Sequence, residues 1–139
     1  MNEILTAIRA FIGCRIREGF ESVHDIIENT SDYAYGTYGQ DFLNEIKTIT
    51  IELLEAHHAE QTEWVGTTDC ERLDEAFAVL NRAGIVARQD FSCCNNCGFT
   101  EIWDEVEKEE ASQTIDGYVF YHLQCTERAF KSGELLLAY

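Results

Sequence analysis

Proline is absent from this chain of 139 residues, and positively charged side chains are scarce. The absence of proline excludes proline-rich linkers, so we expect the elements to be closely connected. No apolar run approaches the roughly 20 residues that cross a bilayer. The N-terminal stretch places Glu3 and Arg9 within its apolar pattern and lacks the basic leader of a secretory signal. We therefore expect a cytoplasmic protein without a membrane partner.

The charge balance is strongly acidic, with 10 basic against 26 acidic side chains and a formal net charge of −16. Such a surface repels phosphate groups, so a nucleic-acid partner is disfavoured. The sign of the charge fits a basic protein partner, although solubility alone would also explain it. The phosphate-loop motifs G-x-x-x-x-G-K-[ST] and G-x-G-x-x-G are both missing, so nothing supports nucleotide chemistry.

Apolar side chains recur at helical spacing in the N-terminal half. Residues 1–30 predict a helical region that Gly19 interrupts, and residues 40–62 predict another helix. The apolar stripe of the first region contains Leu5, Ile8, Ile12 and Ile16. The helices of this half should pack through these stripes.

Three tyrosines, Tyr33, Tyr35 and Tyr38, follow a turn-rich cluster at residues 29–32 and are accompanied by two glycines. This composition predicts a loop. Aromatic side chains on a loop can form a recognition surface, because they offer a large contact area with few rotatable bonds. They can equally cover the edge of the core, and the sequence does not separate the two interpretations.

The C-terminal half alternates between strand and helix patterns. Thr68 and Glu71 have the spacing of a capping box at the start of a helix, and Gly84 stands where a left-handed residue would end it. The elements predicted after it are a strand at 85–91, a helix at 101–110, a strand at 117–123, a short helix at 126–131 and a last strand at 135–139.

These patterns predict an α+β fold. A helical N-terminal half would pack on a small mixed sheet of about three strands, formed by a β-α-β-α-β C-terminal half. We expect a single domain over residues 1–139, with a helical part at 1–66 and an α/β part at 67–139. The chain shows no internal repeat and no domain linker.

Six cysteines are a large number for this length, and three of them, Cys93, Cys94 and Cys97, lie together between a predicted strand and a predicted helix. Asn95, Asn96 and Gly98 accept the left-handed backbone of a tight turn, so the segment predicts a turn. Downstream, His122 and Cys125 supply another nitrogen and sulfur three residues apart.

Short gaps between thiols and imidazoles are typical of zinc sites. The candidate ligands are Cys94, Cys97, His122 and Cys125, with Cys93 as a substitute, and the zinc would be structural. The same C-x-x-C pair at a helix start is also typical of redox-active thiols. Buried cysteines that only pack in the core are a third interpretation. The sequence leaves all three open.

The acidic side chains after the cysteines suggest a binding surface. Glu101, Asp104 and Glu105, together with Tyr33, Tyr35 and Tyr38, are the residues that we expect to meet a basic partner. No catalytic constellation is recognisable, so a non-catalytic role is the expectation.

The runs C-C-x-x-C-G at residues 93–98 and G-Y-V-F-Y-H at residues 117–122 resemble an uncharacterised bacterial family, a domain of unknown function. The resemblance covers about residues 69–139 and implies a small cytosolic protein. In that family aspartate is more usual at the position of Cys125, and a carboxylate can also bind zinc. The resemblance implies no activity, only that the cysteine turn and the aromatic strand act together.

The best functional interpretation of the sequence is a small acidic binding protein, of an immunity or regulatory type, that acts on a basic protein. The alternatives are a domain held by structural zinc and a thiol oxidoreductase or redox sensor that uses Cys94 and Cys97.

Overall fold

The structure of the protein is a computed structural model that describes residues 2–139. These residues form six α-helices and two β-strands. The chain divides into two units, Met1–Trp64 and Val65–Tyr139. The first unit contains helices only, and the second contains both strands. The predicted α+β class is therefore confirmed.

The first unit consists of α1 (Asn2–Glu18), α2 (Val23–Tyr38) and α3 (Leu43–Thr62). The interruption predicted at Gly19 is confirmed, since this residue follows α1 with a φ of 77°. The three helices enclose an apolar core whose members are Ile8, Ile12, Ile16, Ile26, Ala34, Phe42, Ile46 and Ile49. The apolar stripe predicted in the first helical region is therefore confirmed for Ile8, Ile12 and Ile16, and Leu5 packs against the same core.

The segment at 29–38 is part of α2, so the predictions of a turn and of a tyrosine loop were wrong. The hydroxyl of Thr30 donates a hydrogen bond to the Ile26 carbonyl over 2.5 Å. This bond within the helix gives a partner to a side chain that would otherwise favour a turn. Ile26, Thr30 and Ala34 are buried along one face. Burial of this face outweighs the turn propensity of the segment. The helix ends at Gly39, which has a φ of 67°.

The second unit follows the order α4 (Asp69–Arg82), β1 (Ile85–Arg88), α5 (Asn95–Glu110), β2 (Gly117–Phe120) and α6 (Leu123–Ser132). The predicted capping box is confirmed, because Thr68 and Glu71 bond each other's backbone amides at the start of α4. Gly84, with a φ of 84°, has the left-handed conformation predicted for it.

The sheet consists of β1 and β2, which are parallel and joined through α5. Ile85 pairs with Gly117, and Arg88 pairs with Phe120. The third strand predicted at 135–139 is reduced to one antiparallel bridge between Phe120 and Ala138. β1 is also shorter than predicted, because the chain after it turns away through Asp90 and Ser92, whose φ values are 48° and 65°. β2 ends at Phe120, since α6 already begins at Leu123.

Helices of the same unit cover the two faces of the sheet. On one face α4 contributes Phe77 to a cluster with Ala87 and Val119. On the other face α5 contributes Ile102 to a cluster with Phe120. Within the second unit, α4 and α5 therefore cover the sheet.

Helix α5 begins at Asn95 and not near Glu101, so the cysteine turn predicted from Asn95, Asn96 and Gly98 is instead a first helical turn. The Gly98 amide donates to the Cys94 carbonyl over 2.9 Å, which closes that turn. Among residues 2–139, no helix has the length and apolarity that spanning a membrane would require.

Candidate metal centre

Three thiols converge where the chain leaves β1 and enters α5. Cys94 is the extended N-cap residue of the helix, with φ −157° and ψ 173°, and Cys97 is the third residue of its first turn. The sulfur atoms of Cys93, Cys94 and Cys97 all lie within 4.8 Å of one another, and those of Cys93 and Cys94 are 3.8 Å apart. This cluster of three thiols can hold a metal ion.

The loop before the thiols is fixed to the chain that follows β2. The Phe91 amide donates to the Tyr121 carbonyl over 2.8 Å, and the Leu123 amide donates to the Ser92 carbonyl over 3.1 Å. Asp90 and Ser92 both have left-handed backbones, which cost free energy for residues other than glycine. The hydrogen bonds to the neighbouring segment hold the loop in this conformation.

The electrostatics of the first turn distinguish two of the thiols. The Cys94 side chain forms no regular capping hydrogen bond, yet the Cys97 amide nearby, followed by the thiols of Cys97 and Cys93, lowers the pKa of Cys94. Hydrogen bonding to Cys93 and then to Cys94 raises the pKa of Cys97 to about 12. The cluster therefore favours a thiolate at Cys94 and a proton on Cys97.

His122 and Cys125 form a separate, buried pair at the start of α6. The Cys125 sulfur lies 3.3 Å from His122 Nε2, while His122 Nδ1 is buried without a hydrogen-bond partner. Among the described residues, neither side chain joins two of the three clustered thiols within 4.8 Å. Of the predicted ligands, the structure thus brings together Cys94, Cys97 and the substitute Cys93. His122 and Cys125 contact each other instead.

The predicted tyrosine surface is partly occupied by contacts within the first unit. The ring of Tyr33 stacks on Phe11 with a centroid distance of 4.7 Å, and the ring of Tyr38 meets Phe42 edge-on at 6.3 Å. Tyr35 is 66% exposed. Of the three tyrosines, Tyr35 offers the freest ring.

The predicted acidic residues differ in their surroundings. Glu101 and Asp104 are exposed, whereas Glu105 is half-buried between two cations. Its carboxylate lies 2.9 Å from Arg88 and 2.8 Å from Lys108, and the hydrogen bond from Lys108, followed by that from Arg88, lowers the pKa of Glu105. Glu105 is therefore neutralised inside the unit.

Sequence reasoning missed a group of aromatic side chains at the surface, formed by two exposed residues of α5 and the partly buried Tyr118 of β2. Phe99 and Trp103 are 39% and 56% exposed, and both rings meet Tyr118 edge-on, at centroid distances of 6.3 and 5.6 Å. Their spacing of four residues would have revealed a shared helix face if the start of α5 had been placed correctly.

The fold and the thiol cluster define an α+β protein with a candidate metal centre of three cysteines. The chain belongs to the family described as "Domain of unknown function (DUF6891)", whose model matches residues 1–139. The predicted membership of such a family is confirmed, and the match extends beyond residues 69–139 to the helical unit. No curated protein and no solved structure matches the chain.

Proposed function

We propose that this protein binds a zinc ion through the thiolates of Cys93, Cys94 and Cys97. The observation that supports the proposal is the convergence of the three sulfur atoms within 4.8 Å. Thiolate is a preferred zinc ligand, and two-residue gaps between cysteines are typical of zinc sites. Bound zinc would supply Lewis-acid chemistry or would exchange with other carriers. The start of α5 positions the sulfur atoms that hold it.

The sulfur spacing fits tetrahedral coordination. Zinc–sulfur bonds of about 2.3 Å in a tetrahedron put two sulfur atoms roughly 3.8 Å apart. The sulfur atoms of Cys93 and Cys94 have this separation, 3.8 Å. Only small side-chain rotations are therefore needed for these two thiols to share an ion.

The start of α5 also supplies favourable electrostatics. Unpaired amides in a first helical turn carry partial positive charge, which stabilises thiolates. The lowered pKa of Cys94 has this origin, with the Cys97 amide as the largest contribution. Metal binding would displace the remaining thiol protons, including that of Cys97, so affinity should increase as the pH rises.

Three protein ligands leave the fourth tetrahedral position open. Structural zinc sites normally have four protein ligands, whereas sites with three bind water or another molecule at the fourth. Cys93 is exposed, and Cys94 and Cys97 are partly exposed. We therefore propose exchangeable zinc binding, because both units already have their own apolar cores.

Native mass spectrometry of the full chain, purified without chelator and titrated with zinc, tests the proposal. We expect one zinc ion per chain, loss of binding in Cys97→Ser, and full binding in the control Cys70→Ser, which removes an exposed thiol from α4. Retention of zinc by Cys97→Ser would contradict the proposal.

A further variant distinguishes the three-thiol site from the ligand set predicted from sequence. Because His122 and Cys125 pair with each other, Cys125→Ser should keep one zinc ion per chain. Loss of zinc from Cys125→Ser, with the fold retained by circular dichroism, would favour Cys94, Cys97, His122 and Cys125 as the ligands.

A second candidate function is thiol–disulfide exchange by Cys94 and Cys97, and the opposite directions of their pKa shifts favour it. The Cys94 thiolate would attack a disulfide substrate and expel one thiolate. Cys97, after releasing its proton to solvent, would attack the Cys94 sulfur and expel the second thiolate. The protein would end with a Cys94–Cys97 disulfide, and the substrate would end as two thiols.

Oxidised glutathione is a suitable probe for this reaction with zinc removed by chelator. We expect a chain lighter by two hydrogens, and in Cys97→Ser a stable mixed disulfide between glutathione and Cys94. Absence of both products at neutral pH would exclude this candidate and leave the zinc proposal untouched.

A further inference from the structure

The aromatic ridge, which we define as Phe99, Trp103 and Tyr118, is a surface feature of the second unit that the metal centre does not use. Phe99 and Trp103 are exposed, and Tyr118 is partly buried. Trp103 and Phe99 lie one helical turn apart on α5, and Tyr118 lies beside them on β2. Their rings meet edge-to-face, the arrangement that aromatic pairs prefer. These contacts hold the rings in a fixed orientation, while Phe99 and Trp103 stay exposed.

The ridge is attached to the core. The ring of Phe99 meets the fully buried Phe120 at 5.3 Å, and Tyr118 stacks near Phe120 at 6.4 Å. A preformed aromatic surface loses little conformational entropy when it binds a partner. Aromatic side chains with these properties are common among the residues that dominate binding energy at interfaces.

Carboxylates surround the ridge. Asp104, Glu107 and Glu110 follow Trp103 by one, four and seven positions on α5, and all three are exposed. Within the described residues, none of the three has a cation within 4.0 Å, although Asp104 contributes to raising the pKa of Lys108. Glu105 and Glu109, by contrast, bind Arg88. The acidic side of the ridge thus remains unneutralised.

We propose that the aromatic ridge, with Glu107 and Glu110, docks a basic segment of a partner protein in which lysine or arginine alternates with apolar side chains. Charge complementarity selects this occupant, since the ridge carries unpaired carboxylates and the whole chain has a net charge of −16. Cations of the partner lie over the faces of Trp103 and Tyr118 and pair with the carboxylates, and its apolar side chains cover Phe99.

The ridge also accounts for why acidic residues cluster on this helix. A solvated helix face needs carboxylates for solubility, but it does not need tryptophan and phenylalanine beside them. The combination of exposed rings and unpaired charge is what a basic, partly apolar segment recognises. An acidic partner would be repelled, and a purely apolar one would leave the carboxylates desolvated without a counter-charge.

The test uses the full chain and a peptide of alternating lysine and leucine as the probe. Backbone amide shifts of the isotope-labelled protein report the binding site by NMR, and the same titration gives the affinity. A second peptide, with serine in place of each leucine, has the same charge and isolates the apolar contribution. We expect the largest shifts at residues 99–110 and at Tyr118, with affinity for the leucine peptide at least about tenfold higher than for the serine peptide.

Two variants separate docking at the ridge from general charge attraction. Trp103→Ala and the double variant Glu107→Lys/Glu110→Lys should each weaken binding about tenfold. The matched control, Asp32→Lys/Glu55→Lys, reverses two exposed carboxylates of the first unit and should weaken binding less than about threefold.

Equal weakening by both double variants, equal affinity for the two peptides, or shifts centred on other residues would each overturn the proposal. The charge-reversal variant alters side chains at the surface only, so it remains informative if Trp103→Ala perturbs the fold. Failure of the leucine peptide to bind would also overturn it.

Discussion

Gly98 lies directly against the ring of Phe120, so closely that a β-carbon at residue 98 would come within 2.7 Å of the Phe120 Cζ atom. Phe120 is fully buried and belongs to the core cluster between α5 and the sheet. The glycine therefore allows the first turn of α5, and with it Cys97, to approach the aromatic strand. This contact joins the two sequence motifs, C-C-x-x-C-G and G-Y-V-F-Y-H, in space.

Replacing Gly98 by alanine should destabilise the protein by about 1–3 kcal/mol, because the added methyl group overpacks a closed contact. Urea unfolding followed by circular dichroism measures the change. The control is Gly36→Ala in α2, where nothing lies within 4 Å of the new β-carbon. There alanine should stabilise by up to about 1 kcal/mol through its higher helix propensity. Equal effects of the two variants would contradict the close contact.

A single substitution should reveal how much the capping box of α4 contributes to the free energy of unfolding. Thr68→Ala removes the acceptor of the Glu71 amide and the hydroxyl that bonds the Glu71 carboxylate. We expect a loss of about 1 kcal/mol in the free energy of unfolding. Thr48→Ala, which removes an exposed hydroxyl within α3, should change it by less than about 0.5 kcal/mol. A Thr68→Ala protein as stable as the parent would refute the cap.

The side chain of Asn81 connects α4 with β1. Its amide donates to the Ala87 carbonyl over 3.1 Å, and its oxygen accepts from the Ala87 amide over 2.9 Å. Asn81→Ala should cost about 1–3 kcal/mol, because the amide of the buried Ala87 loses its acceptor, while the Ala87 carbonyl keeps its hydrogen bond from Arg88. Asn44→Ala, at an exposed position of α3, is the control and should be nearly neutral. Chemical denaturation of the three proteins measures the difference.

Alkylation by iodoacetamide should depend on pH differently at Cys94 and Cys97. The lowered pKa of Cys94 means that its reactive thiolate is populated at a lower pH than that of an unperturbed cysteine. The pKa of Cys97, raised to about 12, keeps that thiol protonated and unreactive at neutral pH. Peptide mass spectrometry across a pH series, with glutathione as the reference, measures both rates. Faster labelling of Cys97 than of Cys94 at neutral pH would contradict this order.

Local patterns predicted the helices whose apolar stripes face a core, such as the isoleucine stripe of α1, and the caps at Thr68 and Gly84. The sequence failed where burial overrides local propensity. Thr30 and its turn-forming neighbours continue α2, since their face packs in the core. Sequence separation likewise hides the contact between Gly98 and Phe120, because the two residues lie in different elements.

The candidate site was predictable in part. The short gaps of the C-C-x-x-C motif identify the three thiols, because residues so close along the chain stay close in any fold. Spacing cannot show that His122 bonds Cys125, since that depends on the turn between β2 and α6. The exposure of Trp103 was not predictable either. The pattern of one helix does not show which of its aromatic side chains are covered by other elements.

The hydrogen bonds at the two outer edges of the sheet limit how a partner can attach. Asn81 occupies the backbone groups of Ala87 on the free side of β1, and Ala138 occupies those of Phe120 on the free side of β2. An incoming strand would have to displace one of these bonds before it could extend the sheet. Strand addition at these two positions is therefore disfavoured, and a partner that recognises side chains is favoured over one that pairs with the backbone.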